Sequence, residues 1–286
     1  MWSAETSSIR AVVVTHCSAA TIADCLERLL AVPEIAGIVL IDNGSDDDTV
    51  ARAMPFAEKE ARVTLRVDPE NPGFATACND GALDCTQPWL AFVNPDCMVD
   101  ADTFARLLAH ARGVPKLGVL GCVQIDADGV EDAAVRRRDP SLRKILFAGG
   151  ARGALHVASD GSAVQQVDAL SGALMLMTTK VFEQVGGFDA GYRLHAEDLD
   201  LCRRVRDAGY QVCIANDVRV THLRGVSSRR RPLWVEWQKH RGLWRYFNKF
   251  EAAQTSLPMR ELLWLALWAH YFIAAPRTFL RTRLQR

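Results

Sequence analysis

Four short segments of the 286-residue chain place acids or a histidine where regular structure should end. Asp42 lies in IDNGSDDDT, after an apolar run. Asp and Asn tolerate left-handed backbone and Gly supplies positive φ, so this segment reads as a turn. A carboxylate there could also accept hydrogen bonds from a ribose or a nucleobase, as acids after nucleotide-binding strands do. Asp96 lies in FVNPDC, where Pro95 stiffens the turn. Asp96 or Asp100 could cap a helix near Asp102; alternatively Asp96 could ligate a hard divalent cation beside a diphosphate, since Mg²⁺ takes few protein carboxylates. The cluster LHAEDLDLCRR packs Glu197, Asp198 and Asp200 into four residues at a helix start, where the helix dipole favours anions. Capping needs one acid; another could act as general base toward a hydroxyl group. His222, closing VRVTH, is either a core histidine or a metal ligand.

These side chains need a scaffold, and the first 125 residues carry its pattern. Residues 9–15 (IRAVVVT) form a β-branched run suited to a strand buried on both faces. Thr21 can cap a helix whose Ile22, Leu26, Leu29 and Leu30 recur at helical spacing. A second strand is predicted over 35–41, stopped by Asp42-Asn43-Gly44-Ser45. Then follow a helix from about Asp47, a strand over 63–67, a helix from Phe74 after Asn71-Pro72-Gly73, and a strand over 89–93. Such alternation implies βαβ units and a mostly parallel sheet, with ligands beyond the carboxyl ends of its strands. Thr15, Asp42, Asn71 and Asp96 then share one edge. Residues 126–161, with Arg136-Arg137-Arg138, Gly149-Gly150 and little periodicity, are expected to form a mobile excursion over the site. Beyond them the pattern predicts a strand over 174–177, helices over 179–185 and 196–208, and brief strands over 211–214 and 218–221. Long helices are predicted over 234–250 and 259–284.

Composition narrows the class. The chain is 49% hydrophobic and 24% charged, which excludes collagen, low-complexity disorder and a disulfide-rich miniprotein. Its 34 basic and 34 acidic residues are unevenly placed: 13 of the former and three of the latter lie from Arg224 onward. An acidic body thus carries a basic, aromatic tail. The eight cysteines form no CxxC pair and sit among apolar neighbours, as small hydrophobes do. With no signal-peptide pattern at the start, a reduced, cytoplasmic setting is expected. In the tail, LLWLALWAHYFIAA has 14 residues with only His270 polar, short of the roughly 20 that span a bilayer. An interfacial helix on an anionic membrane is expected, the alternatives being a buried helix or an oligomer contact. No nucleic-acid motif accompanies the basic tail.

Taken in order, VVVT, IDNGS, NPGFATACNDG, FVNPDC, LSGALMLM, GGFDAGYRLHAEDLDLCRR and VTHLRG resemble the inverting nucleotide-sugar glycosyltransferases of family two, over about residues 9–250. The NPD resembles the bacterial rhamnosyltransferase branch, with Asn94 in place of the first acid of the usual DxD. The resemblance implies an α/β GT-A fold, Rossmann-like, with a C-terminal helical extension. The expected domains are a catalytic domain over 1–225, with a nucleotide-sugar half to about 125 and an acceptor half from 126, and an extension over 226–286. It implies that Thr15 and Asp42 hold the base and ribose, with Asn43 and Ser45 shaping their loop. Asn71, Gly73, Phe74 and Asn79 would line the donor floor beside Asn94. Asp96 and His222 would hold Mg²⁺ or Mn²⁺, and Asp198 would be the base, with Glu197 the competing assignment. Leu170-Ser171-Gly172-Ala173 would border donor and acceptor. The expected donor is dTDP-L-rhamnose, and the expected acceptor a cell-surface polysaccharide or its lipid-linked precursor, at the inner face of the cytoplasmic membrane. A nucleotidyltransferase would show a Gly-rich, basic loop after the first strand, where this chain has THCSAAT. A non-catalytic, membrane-associated sugar-nucleotide-binding protein is the third reading.

Overall fold

The computed structural model describes residues 7–147, 155–223 and 231–284. Gly149-Gly150, Arg224, Arg229, Arg230 and Arg286 lie outside these, as do the side chains of Arg281 and Arg283. In chain order the elements are β1 (Ile9–Thr15), α1 (Ile22–Leu30), β2 (Ile35–Asp42), α2 (Thr49–Lys59), β3 (Val63–Val67), α3 (Phe74–Ala82), β4 (Trp89–Val93) and β5 (Cys97–Met98). Next come α4 (Thr103–Gly113), β6 (Leu117–Ile125), α5 (Leu142–Phe147), β7 (Val164–Gln166), β8 (Leu174–Thr178) and α6 (Thr179–Gln184). The chain closes with α7 (Glu197–Asp207), β9 (Gln211–His222), α8 (Pro232–Phe250) and α9 (Leu257–Leu284).

One sheet runs β3-β2-β1-β4-β8-β6-β9-β5, with β7 added on β9. Strands β1 to β4 are parallel, whereas β8 is antiparallel to both β4 and β6. Side chains alternate along β1, so Ala11 and Val13 join α1 and α4 in one core while Val12 and Val14 join α3 and α7 in the other. Burial on both faces is why these strands read as continuous apolar runs.

Two expectations change. The predicted brief strands over 211–221 are one strand, β9, because parallel pairing with β6 continues past a bulge: Cys122 pairs with Ala215 and Val123 with Arg219. Asn216, Asp217 and Val218, between the two paired stretches, form the bulge. The described part of the 126–161 excursion is packed rather than loose. Val135, Arg136, Leu142 and Ile145 are buried, and Arg137 bridges His156 on one side and Ala169 on the other.

The tail docks by charge and by aromatic packing. Lys249 of α8 reaches Asp200 at 2.7 Å and Asp189 at 2.8 Å, and Arg245 reaches Asp189 at 2.8 Å. Helix α9 returns along α8, with Trp237 and Trp268 centroids 4.5 Å apart and Leu263 and Leu267 buried.

Candidate active site

The carboxyl ends of β1, β2 and β4 open into a cavity of about 1480 Å³. Thr15 and Asp42 are register neighbours, and the Asn43 N–H donates to the Thr15 carbonyl at 2.7 Å. Thr15, Asn43, Asn71, Phe74, Asn94, Asp96 and His222 line the cavity together. So do residues not singled out from sequence: His16, Arg137, Arg193, His195, Trp234 and Lys239. Of these, Arg137 carried a signal as one of three consecutive arginines, and Trp234 and Lys239 as parts of the basic, aromatic tail.

Other expected contacts are placed behind the wall. Asp42 is fully buried and its carboxylate accepts from the Ser45 hydroxyl at 2.5 Å and the Ser45 N–H at 3.0 Å. Neither residue lines the cavity, so the pair builds the turn that presents Asn43. Asn79 is also redirected. Its carboxamide exchanges two 2.8 Å hydrogen bonds with the Phe188 backbone, tying α3 to the loop between α6 and α7. Gly73 has φ +106°, and a Cβ there would lie 2.8 Å from the Arg193 backbone. Its role is close approach: the Phe74 N–H donates to the Arg193 carbonyl at 2.9 Å. Phe74 then presents its ring to the cavity, edge-on to Phe188.

Asp96 and His222 are 126 residues apart in sequence and meet because β5 pairs antiparallel with β9, Cys97 opposite His222. The Leu223 N–H donates to the Asp96 carbonyl at 2.9 Å, and His222 Nε2 lies 3.2 Å from Asp96 Oδ1. No group of three or more His, Cys, Asp or Glu side chains suited to a metal occurs among the described residues. One carboxylate and one imidazole facing the same cavity nevertheless fit a cation that takes its remaining ligands from water and phosphate. The buried His222 Nδ1 has no partner among the described residues.

The acidic cluster divides into three jobs. Before α7, His195 (φ +65°) and Ala196 (φ +69°) are both left-handed, a strained pair for residues with side chains. Helix α8 holds this turn: a Cβ on Gly242 would stand 2.7 Å from the His195 carbonyl. Glu197 is buried, with Oε2 unpartnered, and burial followed by the Asp198 charge pushes its carboxyl up to about 8. Both effects favour its protonated form. Asp198 Oδ2 accepts from the Arg137 guanidinium at 2.5 Å and from the Gly172 N–H at 3.2 Å. Asp200 is structural, fully buried between Arg204 (2.5 Å) and Lys249 (2.7 Å). Burial lowers His195 to about 4, so its imidazole is neutral.

Five residues of the cavity wall hold buried polar atoms with no partner among the described residues: Thr15 Oγ1, Asn43 Oδ1, Arg137 Nε, His195 Nε2 and His222 Nδ1. Each such atom costs about 1–3 kcal/mol when left unmade. Their concentration around one cavity marks it as built for a polar ligand.

A parallel sheet entering an antiparallel strand, with a carboxylate–imidazole pair at its edge and an acid-rich helix start, can be compared with known folds. The fold matches the Pyrobaculum calidifontis mannosyltransferase PcManGT, solved with GDP-Man and Mn²⁺, at TM-score 0.61 and 18% identity, covering 96% of this chain and 73% of that one. It also matches GalNAc-T7, solved with UDP, GalNAc and Mn²⁺, at TM-score 0.62 and 16% identity, covering 84% of this chain and 47% of that one. The chain belongs to glycosyl transferase family 2, whose model matches residues 11–171. It is 28% identical to the N-acetylglucosaminyl-diphospho-decaprenol L-rhamnosyltransferase of Mycobacterium tuberculosis, covering 87% of this chain and 88% of the relative. It is 25% identical to the poly-beta-1,6-N-acetyl-D-glucosamine synthase of Staphylococcus aureus, over 79% of this chain and 49% of the relative.

Proposed function

We propose that the protein is a metal-dependent, inverting glycosyltransferase that moves L-rhamnose from dTDP-L-rhamnose to a lipid-linked glycan or growing cell-surface polysaccharide. The observation that carries the chemistry is one cavity wall holding Asp96 and His222 together with Arg137, whose guanidinium sits on Asp198. The sugar and acceptor rest on the NPD segment and on the similarity to the mycobacterial rhamnosyltransferase.

Thr15 and Asn43, with their unpartnered oxygens, suit the polar edges of a nucleoside, and Asn71 and Phe74 extend that floor. Asp96 and His222 would hold Mg²⁺ or Mn²⁺, which supplies Lewis-acid stabilisation of a departing diphosphate. Asp198 is the better base of the two acids at the helix start, since it faces the Arg137 guanidinium while burial and the Asp198 charge favour the protonated form of Glu197. In the reaction Asp198 takes the acceptor hydroxyl proton as the oxygen bonds to the anomeric carbon from the face opposite the nucleotide. The bond to the diphosphate breaks with its electron pair leaving on phosphate, which inverts the anomeric centre. General-base help of this kind is worth about 10²–10⁴-fold.

Residues 1–225 are taken as the catalytic unit and 226–286 as an extension that completes it, since Trp234, Val235 and Lys239 of α8 join the cavity wall. No described helix is long and apolar enough to cross a membrane. Helix α9 buries Leu263 and Leu267 yet exposes Leu262, Leu265, Phe272 and Ile273, a face suited to peripheral contact with the inner leaflet that would hold a lipid-linked acceptor. The test is a thermal-shift screen of nucleotide sugars with Mn²⁺, followed by transfer assays of wild type and Asp198→Asn. The largest stabilisation is expected from dTDP-L-rhamnose, and transfer is expected to vanish in the variant while donor binding persists. Selective stabilisation by another nucleotide sugar would replace the donor; undiminished transfer by the variant would remove Asp198 as base.

A further inference from the structure

Arg137 lies between two bridged segments. Its N–H donates to the Ala169 carbonyl at 2.9 Å, and the Arg138 N–H donates to Leu155 at 2.7 Å on the other side. Alternation along this extended stretch sends Arg136 to Glu131 and Asn216, and Arg137 the opposite way, to the Leu170 carbonyl and the Asp198 carboxylate. Arg137 and Asp198 are 14% and 13% exposed, so the ion pair is largely withdrawn from water. The guanidinium lines the cavity, but Asp198 does not. The Arg137 Nε is buried with no acceptor among the described residues.

We infer that Arg137 is a donor-sensing cover: it closes on Asp198 when the cavity is empty and transfers to the donor diphosphate, uncovering the carboxylate. The inference rests on the reading of Asp198 as base and deepens it with a positioning residue. A ligand shifts an equilibrium only by its differential affinity for the two states. A diphosphate meets that condition, because it offers the guanidinium a bidentate anionic partner, including for Nε, only after Arg137 has left Asp198. Coupling the two events keeps an activated water from a half-filled site.

Wild type, Arg137→Gln and Asp198→Asn are titrated with dTDP and Mn²⁺ by calorimetry, and acceptor-free donor hydrolysis is compared with transfer. Asp198→Asn leaves the guanidinium buried without its counter-charge, so dTDP is expected to bind about three- to tenfold tighter. Arg137→Gln is expected to bind dTDP at least about tenfold more weakly, the loss of one charge-assisted contact. Its ratio of hydrolysis to transfer is expected to rise by a similar factor. A merely structural Arg137 would lower stability and all rates together and leave that ratio unchanged. Unchanged or weaker dTDP binding by Asp198→Asn overturns the cover, and this arm decides the matter should Arg137→Gln fail to fold. If wild type ignores dTDP, the donor reading has failed, and UDP or GDP serves as the probe of the same exchange. If Asp198→Asn retains transfer, the base reading has failed instead.

Discussion

Replacing Asp200 by Asn tests whether the tail is built into the site by charge. Asp200 is fully buried two residues after Asp198, and its oxygens hold Arg204 of its own helix at 2.5 Å and Lys249 of α8 at 2.7 Å. Removing one member of a buried ion pair costs about 3–5 kcal/mol, because the partner charge is left uncompensated. The cost here is smaller for two reasons. Arg204 and Lys249 are 18% and 31% exposed, and Lys249 keeps Asp189 at 2.8 Å. A loss of about 2–3 kcal/mol is expected, which at about 2–4 °C per kcal/mol lowers Tm by roughly 5–10 °C. Urea denaturation and thermal melts measure it, and a cycle with Lys249→Met should show coupling of about 0.5–3 kcal/mol. Because α8 carries Trp234 and Lys239 of the cavity wall, acceptor KM should rise as well. A Tm within about 1 °C of wild type, or independent effects in the cycle, would refute the claim that this contact anchors α8.

Four further outcomes are expected. His222→Ala should raise the Mn²⁺ concentration for half-maximal transfer at least about tenfold, read from metal titrations of the rate. Glu197 is raised from 4.5 to about 8, so the native state holds a proton that the unfolded chain releases. Wild-type stability should therefore fall as pH rises from 4.5 to about 8, by at most about 1.4 kcal/mol per unit, and Glu197→Gln should flatten that slope in urea titrations. Gly242→Ala adds helix propensity of about 1 kcal/mol. Its Cβ must however displace the His195 carbonyl from 2.7 Å, so transfer should drop more than Tm does. Low-salt pelleting with anionic vesicles should retain the protein, and Leu265→Asp with Phe272→Asp should release it without changing Tm, because these side chains are 59% and 72% exposed.

Much of the scaffold could be read from the chain because β1, β2 and β4 are buried on both faces and therefore continuous in apolar residues. The bulged β9 could not, since a local turn signal at Asn216-Asp217 competes with pairing to β6 that only the folded sheet supplies. Asp96 and His222 were individually visible; their approach depends on a two-residue strand, β5, below the length at which any period shows. Asp42 was read as a ligand contact from its residue type and its place after a strand, and Asn79 from the family resemblance. Both instead spend their hydrogen bonds on neighbouring chain, Asp42 on Ser45 and Asn79 on Phe188. Arg137 lay in a run of three arginines with no period, and only the bridges to His156 and Ala169 separate its direction from that of Arg136. The tail could not be assigned to a single environment from its apolar run alone. Helix α9 is apolar around much of its circumference, so one face packs on α8 while another stays exposed.

Strain and unmade hydrogen bonds coincide at the cavity. Cys17, Asn71 and His195 adopt positive φ and line it, and Ala196 follows His195 into α7. Conformations of this kind cost about 1–3 kcal/mol each and persist only where the surroundings over-determine them. Here the surroundings are identifiable: the Ser45 hydroxyl accepts from the Cys17 N–H at 2.8 Å, Arg193 donates to the Asn71 carbonyl at 2.6 Å, and Gly242 admits α8 against His195. A rigid wall held in this way needs little rearrangement to receive a ligand, so polar atoms such as Thr15 Oγ1 and Asn43 Oδ1 can form their missing bonds at low ordering cost. Movement is then confined to side chains that can exchange one anionic partner for another, and in this wall Arg137, paired with Asp198, is a cation placed to do so.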